Sequence, residues 1–413
     1  MKFWHRCYVI ALAFTIIGWG VYAFAKHRIA VAIASQCGAT LMKIGQGKFR
    51  DPTLFVQYRM REALWLATLA LALIAAQWLV SRFSRMQIKQ QRWIVQGILG
   101  FVLLNLWIDA AMNTALFWGL MGIGSGVQNL MQFHFKRILA AENSVPNRAV
   151  LVGSSQARAE IDEDLLNQSL GNDLWTTELH FPGSHAYDVL LIERQLRGIN
   201  PQIVIWYLSE GSLYNGSYSE AQPNFFSFAD LPDSLHRGAQ HYLAAKEILA
   251  GLFGDLLPIF RCREVLAQRL FGSTTVQFKQ QQYDIALQKD LDARAQETAA
   301  GFHVNAESDF QKQALEDFVA RCQQANRRVV LLAGRYNPVL ESRIEPLHND
   351  MVNFLNQLKS RYSVVSVISE PELPDQAAAD YEDLSHVNRE AQRRFTTAVA
   401  RILGQFLPHA NNQ

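Results

Sequence analysis

The amino-acid sequence predicts an α/β protein: a three-layer α/β/α domain on a parallel sheet, preceded by an N-terminal transmembrane helical region. Three observations carry this. Hydrophobic residues make up 49% of the 413 and charged ones only 18%, more apolar than a typical soluble enzyme. The long apolar runs end near Ile123. From Arg148 onward, short β-rich runs alternate with helical ones, the pattern of a parallel sheet covered by helices on both faces. The chain therefore divides into a membrane region at 1–124 with about three helices, an amphipathic linker at 125–147 and a folded domain at 148–413.

Tyr8 to Phe24 is almost uninterrupted apolar sequence behind Lys2 and Arg6, and Ala63 to Val80 is a second such run, closed by Arg82. Each approaches the ~20 residues that cross a ~30 Å hydrocarbon layer. A third run, Ile94 to Ile108, continues past Asp109 into Ala110 to Ile123. It reads either as one long tilted span or as a span followed by an interfacial segment. Two more apolar runs follow the first, so it reads as a retained span and not a signal peptide. Lys2, Arg6 and the basic loop Arg82 to Arg92 favour a cytoplasmic N-terminus. Three spans then put the C-terminal domain outside the cytoplasm, although basic residues between Lys26 and Arg61 pull the other way. Asn105, Asp109 and Asn113 are costly in lipid and need a protein partner, a wet cavity or a place at the membrane edge. Ser125 to Ala141 carries apolar residues at helical spacing, including Val127, Leu130, Met131, Phe135, Ile138 and Leu139. It reads as a surface-lying helix or stalk before a hinge at Asn143 to Asn147, which contains Pro146.

In the folded domain, strands are predicted at Ala149 to Val152, Leu174 to His180, Ile203 to Leu208, Arg328 to Leu332 and Ser363 to Ile368. Helices are predicted at Asp162 to Leu170, Ala186 to Leu196, Ser308 to Ala325, Pro346 to Ser360 and Val387 to Leu403. The stretch 214–305 breaks the alternation with an apolar run (Ile248 to Phe260) and a Gln-rich one (Gln277 to Gln282). It reads as a helical insertion that serves as a lid, as a surface for a membrane partner or as packing.

A net charge of +2 and the lack of a basic stripe with interleaved aromatics exclude a nucleic-acid footprint. The four cysteines, Cys7, Cys37, Cys262 and Cys322, have no metal-ligand spacing, so no metal site is predicted. Cys262 and Cys322 read either as a disulfide, if their domain is extracytoplasmic, or as two separate thiols.

Ligands of open α/β sheets bind beyond the carboxyl ends of the strands. Three stretches fall at that edge: Gly153-Ser154-Ser155, Pro182-Gly183-Ser184 and Asp383-Leu384-Ser385-His386. A serine hydroxyl needs a base to take its proton and an acid to orient that base. Ser155, His386 and Asp383 supply the three types, with the backbone N–H groups of Ser155 and Gly183 as oxyanion donors. Each also has a purely local explanation: Ser154 or Ser155 as a helix N-cap, Gly183 as a turn glycine, Asp383 or Ser385 as the cap of the last helix. Arg158, Arg335 and His185 sit where they can meet substrate, the arginines as anion binders.

Gly153-Ser154-Ser155, Gly183 and Asp383-x-x-His386 resemble blocks one, two and five of the SGNH (GDSL-like) hydrolase and acyltransferase superfamily, over about Arg148 to Phe406. The resemblance implies an SGNH-like fold with Ser155 as nucleophile, His386 as general base and acid, Asp383 as its orienting partner and Gly183 as an oxyanion donor. Ser154 stands where the common pattern has Asp. The third block, a Gly-x-Asn-Asp turn whose Asn completes the oxyanion hole, is missing. Ser209-Glu210-Gly211-Ser212-Leu213-Tyr214-Asn215 stands after the third strand, with Asn215 or Ser209 as substitutes out of register. The chain is also similar to membrane-anchored members with a Gly-Ser-Ser first block that work beside membrane-bound O-acyltransferases. That likeness implies a bacterial inner-membrane protein with a periplasmic domain. Its expected role is transfer of acyl groups, with acetyl leading, to a cell-envelope polysaccharide through an acyl-enzyme. A tethered esterase or deacetylase and a non-catalytic polysaccharide-binding scaffold for such a transferase are the alternatives. The chemistry calls for no metal or organic cofactor.

Overall fold

The computed structural model describes the chain apart from residues 1, 45–51, 84–91, 122–127, 143–144, 146, 172–173, 215–224, 237–244, 272–289, 370–371 and 407–413. Asn215, Pro146, most of the basic loop 82–92 and the Gln-rich run 277–282 thus lie outside the described residues. In chain order come α1 (Lys2–Ile44), α2 (Pro52–Phe83), α3 (Arg92–Met112), α4 (Ala115–Met121), α5 (Gln128–Glu142), β1 (Arg148–Gly153), α6 (Ser155–Glu160), α7 (Glu163–Leu170), β2 (Trp175–His180), α8 (Ala186–Ile199), β3 (Ile203–Leu208) and α9 (Gly211–Tyr214). They continue with α10 (Leu231–His236), α11 (Ala245–Leu256), α12 (Pro258–Arg261), α13 (Arg263–Phe271), α14 (Leu291–Ala299), α15 (Ala306–Gln324), β4 (Arg328–Ala333), α16 (Pro338–Arg361), β5 (Val365–Ile368) and α17 (Arg389–Phe406).

The chain forms two compact units. One comprises Met1–Leu139 with Leu256–Thr274, the other Ala140–Asp255 with Thr275–Gln413. In the first, the stretches Tyr8–Gln36 of α1 and Thr53–Trp78 of α2 are long and apolar enough to cross a membrane. The third apolar run is not one straight helix, since α3 and α4 meet at a 94° bend. The bend is stabilised by polar groups that satisfy the new helix start. Thr114 Oγ1 accepts the Phe117 N–H at 3.2 Å, and the buried Glu62 carboxylate of α2 accepts the N–H groups of Ala115 and Leu116 at 3.0 Å each. Asn105 is likewise satisfied by the Phe101 carbonyl and the Ile259 N–H. The apolar face of the helix read as surface-lying or a stalk is packed: Phe135, Ile138 and Leu139 of α5 share a core with Phe117, Trp118 and Cys262. Leu256–Thr274, inside the stretch read as an insertion, belongs to this unit.

The second unit is built on a five-stranded, wholly parallel sheet of order β2-β1-β3-β4-β5. Apart from the more polar edge strand β2, its strands are rich in β-branched and aliphatic residues, and all six residues of β3 are buried, as a sheet covered on both faces requires. On one face Leu151, Ile205, Tyr207, Val330 and Leu332 join Ala157 of α6, Leu166 of α7 and Phe395, Val399 and Leu403 of α17 in one core. On the other, Trp206 meets Phe318 of α15 edge-on at 4.9 Å. All five strands fall where the sequence predicts them.

The helices differ from the sequence reading in three places, each with a physical reason. α6, raised from sequence only through an N-cap at Ser154 or Ser155, has no predicted extent, because six residues are too few to show a helical period. α16 does not start at Pro346 but runs through it, since the buried stripe Leu340, Ile344, Met351, Leu355 and Leu358 continues across the proline. That continuity outweighs the one hydrogen bond that proline cannot donate. α17 starts at Arg389 rather than Val387, because Asn388 Oδ1 caps it by accepting the N–H groups of Glu390 and Ala391. Cys262 and Cys322 are free, buried thiols.

Order 2-1-3-4-5 reverses direction between β1 and β3, and the crevice beyond their carboxyl ends is the ligand-binding position of such sheets. β1 delivers Gly153 there. A Cβ at this position would meet Ala157 Cβ at 2.7 Å and the Tyr207 carbonyl oxygen at 2.9 Å, so only glycine lets α6 turn so tightly off the strand. Gly153→Ala is expected to lower stability by about 1–3 kcal/mol, read as a lower melting temperature of the detergent-solubilised chain. An unchanged melting temperature would show that the turn has room to relax.

Candidate active site

At the end of β1, Ser154 and Ser155 have separate tasks. Ser154 is the N-cap of α6, its hydroxyl accepting the Gln156 N–H at 3.3 Å. Ser155 is the first helical residue, and its Oγ lies 3.0 Å from His386 Nε2. His386 Nδ1 lies 2.8 Å from Asp383 Oδ2. Asp383 does not cap the last helix, as Asn388 holds that position. Its Oδ1 instead accepts the backbone N–H groups of Ser385 at 2.7 Å and His386 at 2.8 Å. Burial alone would raise the Asp383 carboxyl. The hydrogen bond and charge of His386, together with those two N–H groups, outweigh it and hold the group at about 2. A fixed carboxylate on Nδ1 selects the tautomer whose Nε2 lone pair faces Ser155.

A cavity of about 310 Å³ opens over this row, lined among others by Ser155, Gly183, Ser209, Ser212, Arg294 and His386. Gly183 has φ +66°, a left-handed conformation that suits glycine. Neither its N–H nor that of Ser155 makes a hydrogen bond among the described residues. Both therefore remain available to an oxyanion, with Ser155 at the positive end of α6.

The other sequence candidates are placed as follows. His185 lines the cavity but is buried at the start of α8, with Nδ1 3.6 Å from Asp188 Oδ2. Arg158 is exposed and does not line the cavity, nor does Arg335, whose guanidinium pairs with Glu341 at 3.3 Å. Asn215 lies outside the described residues. Ser209 lines the cavity, but its hydroxyl is committed to Gln156 Oε1. Ser212, which the sequence reading did not single out, lines the cavity with no hydrogen bond to its hydroxyl among the described residues. The signal for it was present only as its place in the turn after β3.

The serine helix and the His386 loop are tied together beneath the cavity. Gln376 Nε2 donates to Glu160 Oε2 at 2.7 Å, and the Tyr381 hydroxyl donates to Gln376 Oε1 at 2.6 Å. Burial pushes the Glu160 carboxyl up to about 8, against hydrogen bonds from Gln376 and Tyr207. On the far side, Glu210 anchors the turn after β3 to His348 of α16 at 2.5 Å, which raises the His348 imidazole above its ordinary value.

No family model matches this chain, and no curated protein matches its sequence. Among solved structures, a GDSL-like lipase from Bacteroides thetaiotaomicron is similar at 9% identity and a TM-score of 0.33, over 67% of this chain and 98% of the lipase. LAE5, an α/β hydrolase from the metagenome of Lake Arreo in Spain, is similar at 11% identity and a TM-score of 0.31, over 64% and 97%.

The Glu160 link has a pH signature. The unfolded carboxyl titrates near ~4.3 and the folded one at about 8, so the folded chain holds the proton longer. The stability this contributes is complete below the unfolded value and is lost as pH rises through the folded one. Glu160→Gln keeps a neutral acceptor, so its melting temperature should gain on the wild type between about pH 5 and 8. Parallel melting curves would show that Glu160 ionises freely.

Proposed function

We propose that the chain is a membrane-anchored, SGNH-type serine enzyme that handles ester-linked acyl groups through an acyl-enzyme on Ser155. The observation that supports this is the row of Asp383, His386 and Ser155, linked at 2.8 and 3.0 Å and opening into a cavity beside two uncommitted N–H groups. In the first half-reaction Ser155 Oγ attacks the acyl carbon while His386 Nε2 takes its proton. Asp383 stabilises the imidazolium, and the N–H groups of Ser155 and Gly183 stabilise the oxyanion. His386 then protonates the departing oxygen. In the second half-reaction an acceptor hydroxyl gives its proton to His386 and attacks the acyl carbon, and His386 returns that proton to Ser155 Oγ as the acyl–Oγ bond breaks.

The finer reading is O-acetyl transfer to a cell-envelope polysaccharide at the outer face of a bacterial inner membrane, beside a membrane-bound O-acyltransferase. Its supports are the two stretches on the same chain that are long and apolar enough to cross a membrane and the first-block and last-block residues that resemble envelope acyltransferases. Water as acceptor makes the same site an esterase.

Two measurements test this. Purified chain in detergent should cleave a chromogenic acetate ester, and Ser155→Ala and His386→Ala should each lower kcat/KM about 10³-fold or more. Activity that survives both substitutions would end the proposal. With an isotopically labelled acetyl donor and a deacetylated glycan, mass spectrometry should find the label on the glycan. Release as acetate alone would assign the site to hydrolysis.

A further inference from the structure

The stretch read as an insertion returns to the sheet edge at α14, whose Arg294 and Thr298, one turn apart, line the cavity together with Phe302 just beyond the helix. Among the residues lining the cavity the only charged side chains besides the imidazoles are Arg294 and Asp383. The Asp383 carboxylate is occupied by His386 and Ser385. Arg294 makes no hydrogen bond or ion pair among the described residues, although acids are close in sequence. Asp292, on the same helix, pairs with Arg343 at 2.7 Å. Arg335, one of the two arginines singled out from the sequence, is paired with Glu341. The half-buried Arg294 thus brings a positive charge without an ion-pair partner among the described residues to a small cavity walled in part by Phe302, Tyr336 and Leu340. In such a partly desolvated place an ion pair is screened less than on an open surface, and a guanidinium matches carboxylate and phosphate oxygens two at a time.

We infer that Arg294 is the anion-reading residue of this cleft and that the substrate carries a carboxylate or phosphate group close to the ester being made or broken. The inference rests on the proposed chemistry for where the anion lies, but not for whether it binds. A glycan bearing uronic acids and one bearing phosphate both present the required chemistry.

The test compares full-length wild type with Arg294→Gln and Arg294→Lys on a matched pair of acetate esters, one neutral and one bearing a carboxylate. The ratio of kcat/KM for the anionic over the neutral ester should fall about 10- to 100-fold in Arg294→Gln, mainly through KM, and recover in part in Arg294→Lys. The melting temperature should stay within experimental error, since the guanidinium makes no hydrogen bond or ion pair among the described residues. An unchanged ratio overturns the inference. Loss of turnover on both esters in the wild type would count against the Ser155 chemistry instead. Calorimetry on Ser155→Ala, with and without Arg294→Gln, then decides the anion site by itself. A uronic-acid oligosaccharide, a phosphorylated one and their neutral parent are the probes. Binding of one anionic probe at least 10-fold more tightly than the parent, lost with Arg294→Gln, supports the site and names the anion. Equal binding of all three overturns it.

Discussion

The Asp383 carboxylate governs the geometry of this site. One oxygen closes the loop on itself by accepting the N–H groups of Ser385 and His386, and the other holds His386 Nδ1. A carboxylate satisfied in this way stays ionised deep into acid and keeps the imidazole from turning. The loop around it is fixed from several directions. The Asn337 N–H donates to the Leu384 carbonyl at 3.0 Å, Glu382 N–H to the His386 carbonyl at 2.8 Å and Asn388 N–H to the Asp380 carbonyl at 2.7 Å. The imidazole is therefore aimed before any ligand arrives, which is the condition for low reorganisation during proton transfer.

The two units divide the work. The helices of the first have the length and apolarity for a membrane, and their internal polar groups are spent on structure, as with Glu62 at the start of α4. The second carries the serine row. Two buried polar contacts brace the elements around that row. The buried Glu160, Gln376 and Tyr381 chain joins the helix of Ser155 to the loop of His386, and the Glu210 and His348 pair fixes the turn that presents Ser212. Buried polar chains of this kind favour one arrangement of their neighbours over others.

The parallel sheet was legible in the sequence because its strands are short β-branched runs bounded by turns and need little tertiary help to be recognised. Ser155, Gly183, Asp383 and His386 were legible as an ordered set at strand ends, and the structure brings these four to one cavity. Local explanations for single residues separated only in three dimensions: Ser154 and Asn388 are the caps, which leaves Ser155 and Asp383 for His386. Arg158 and Arg335 illustrate the limit, since sequence position fixes the strand end but not the counterion, and Glu341 claims Arg335 from a neighbouring helix. Arg294 and Ser212 were out of reach for the same reason. One lies on a helix whose register against the sheet no local pattern encodes, the other in the irregular turn after β3.

The most direct measurement of the central claim is a structure of the full chain after reaction with a fluorophosphonate. The account predicts phosphorus bonded to Ser155 Oγ, with the phosphoryl oxygen within about 3 Å of the N–H groups of Ser155 and Gly183 and His386 still held by Asp383. Phosphorus on another residue, or a phosphoryl oxygen turned away from both N–H groups, would contradict it.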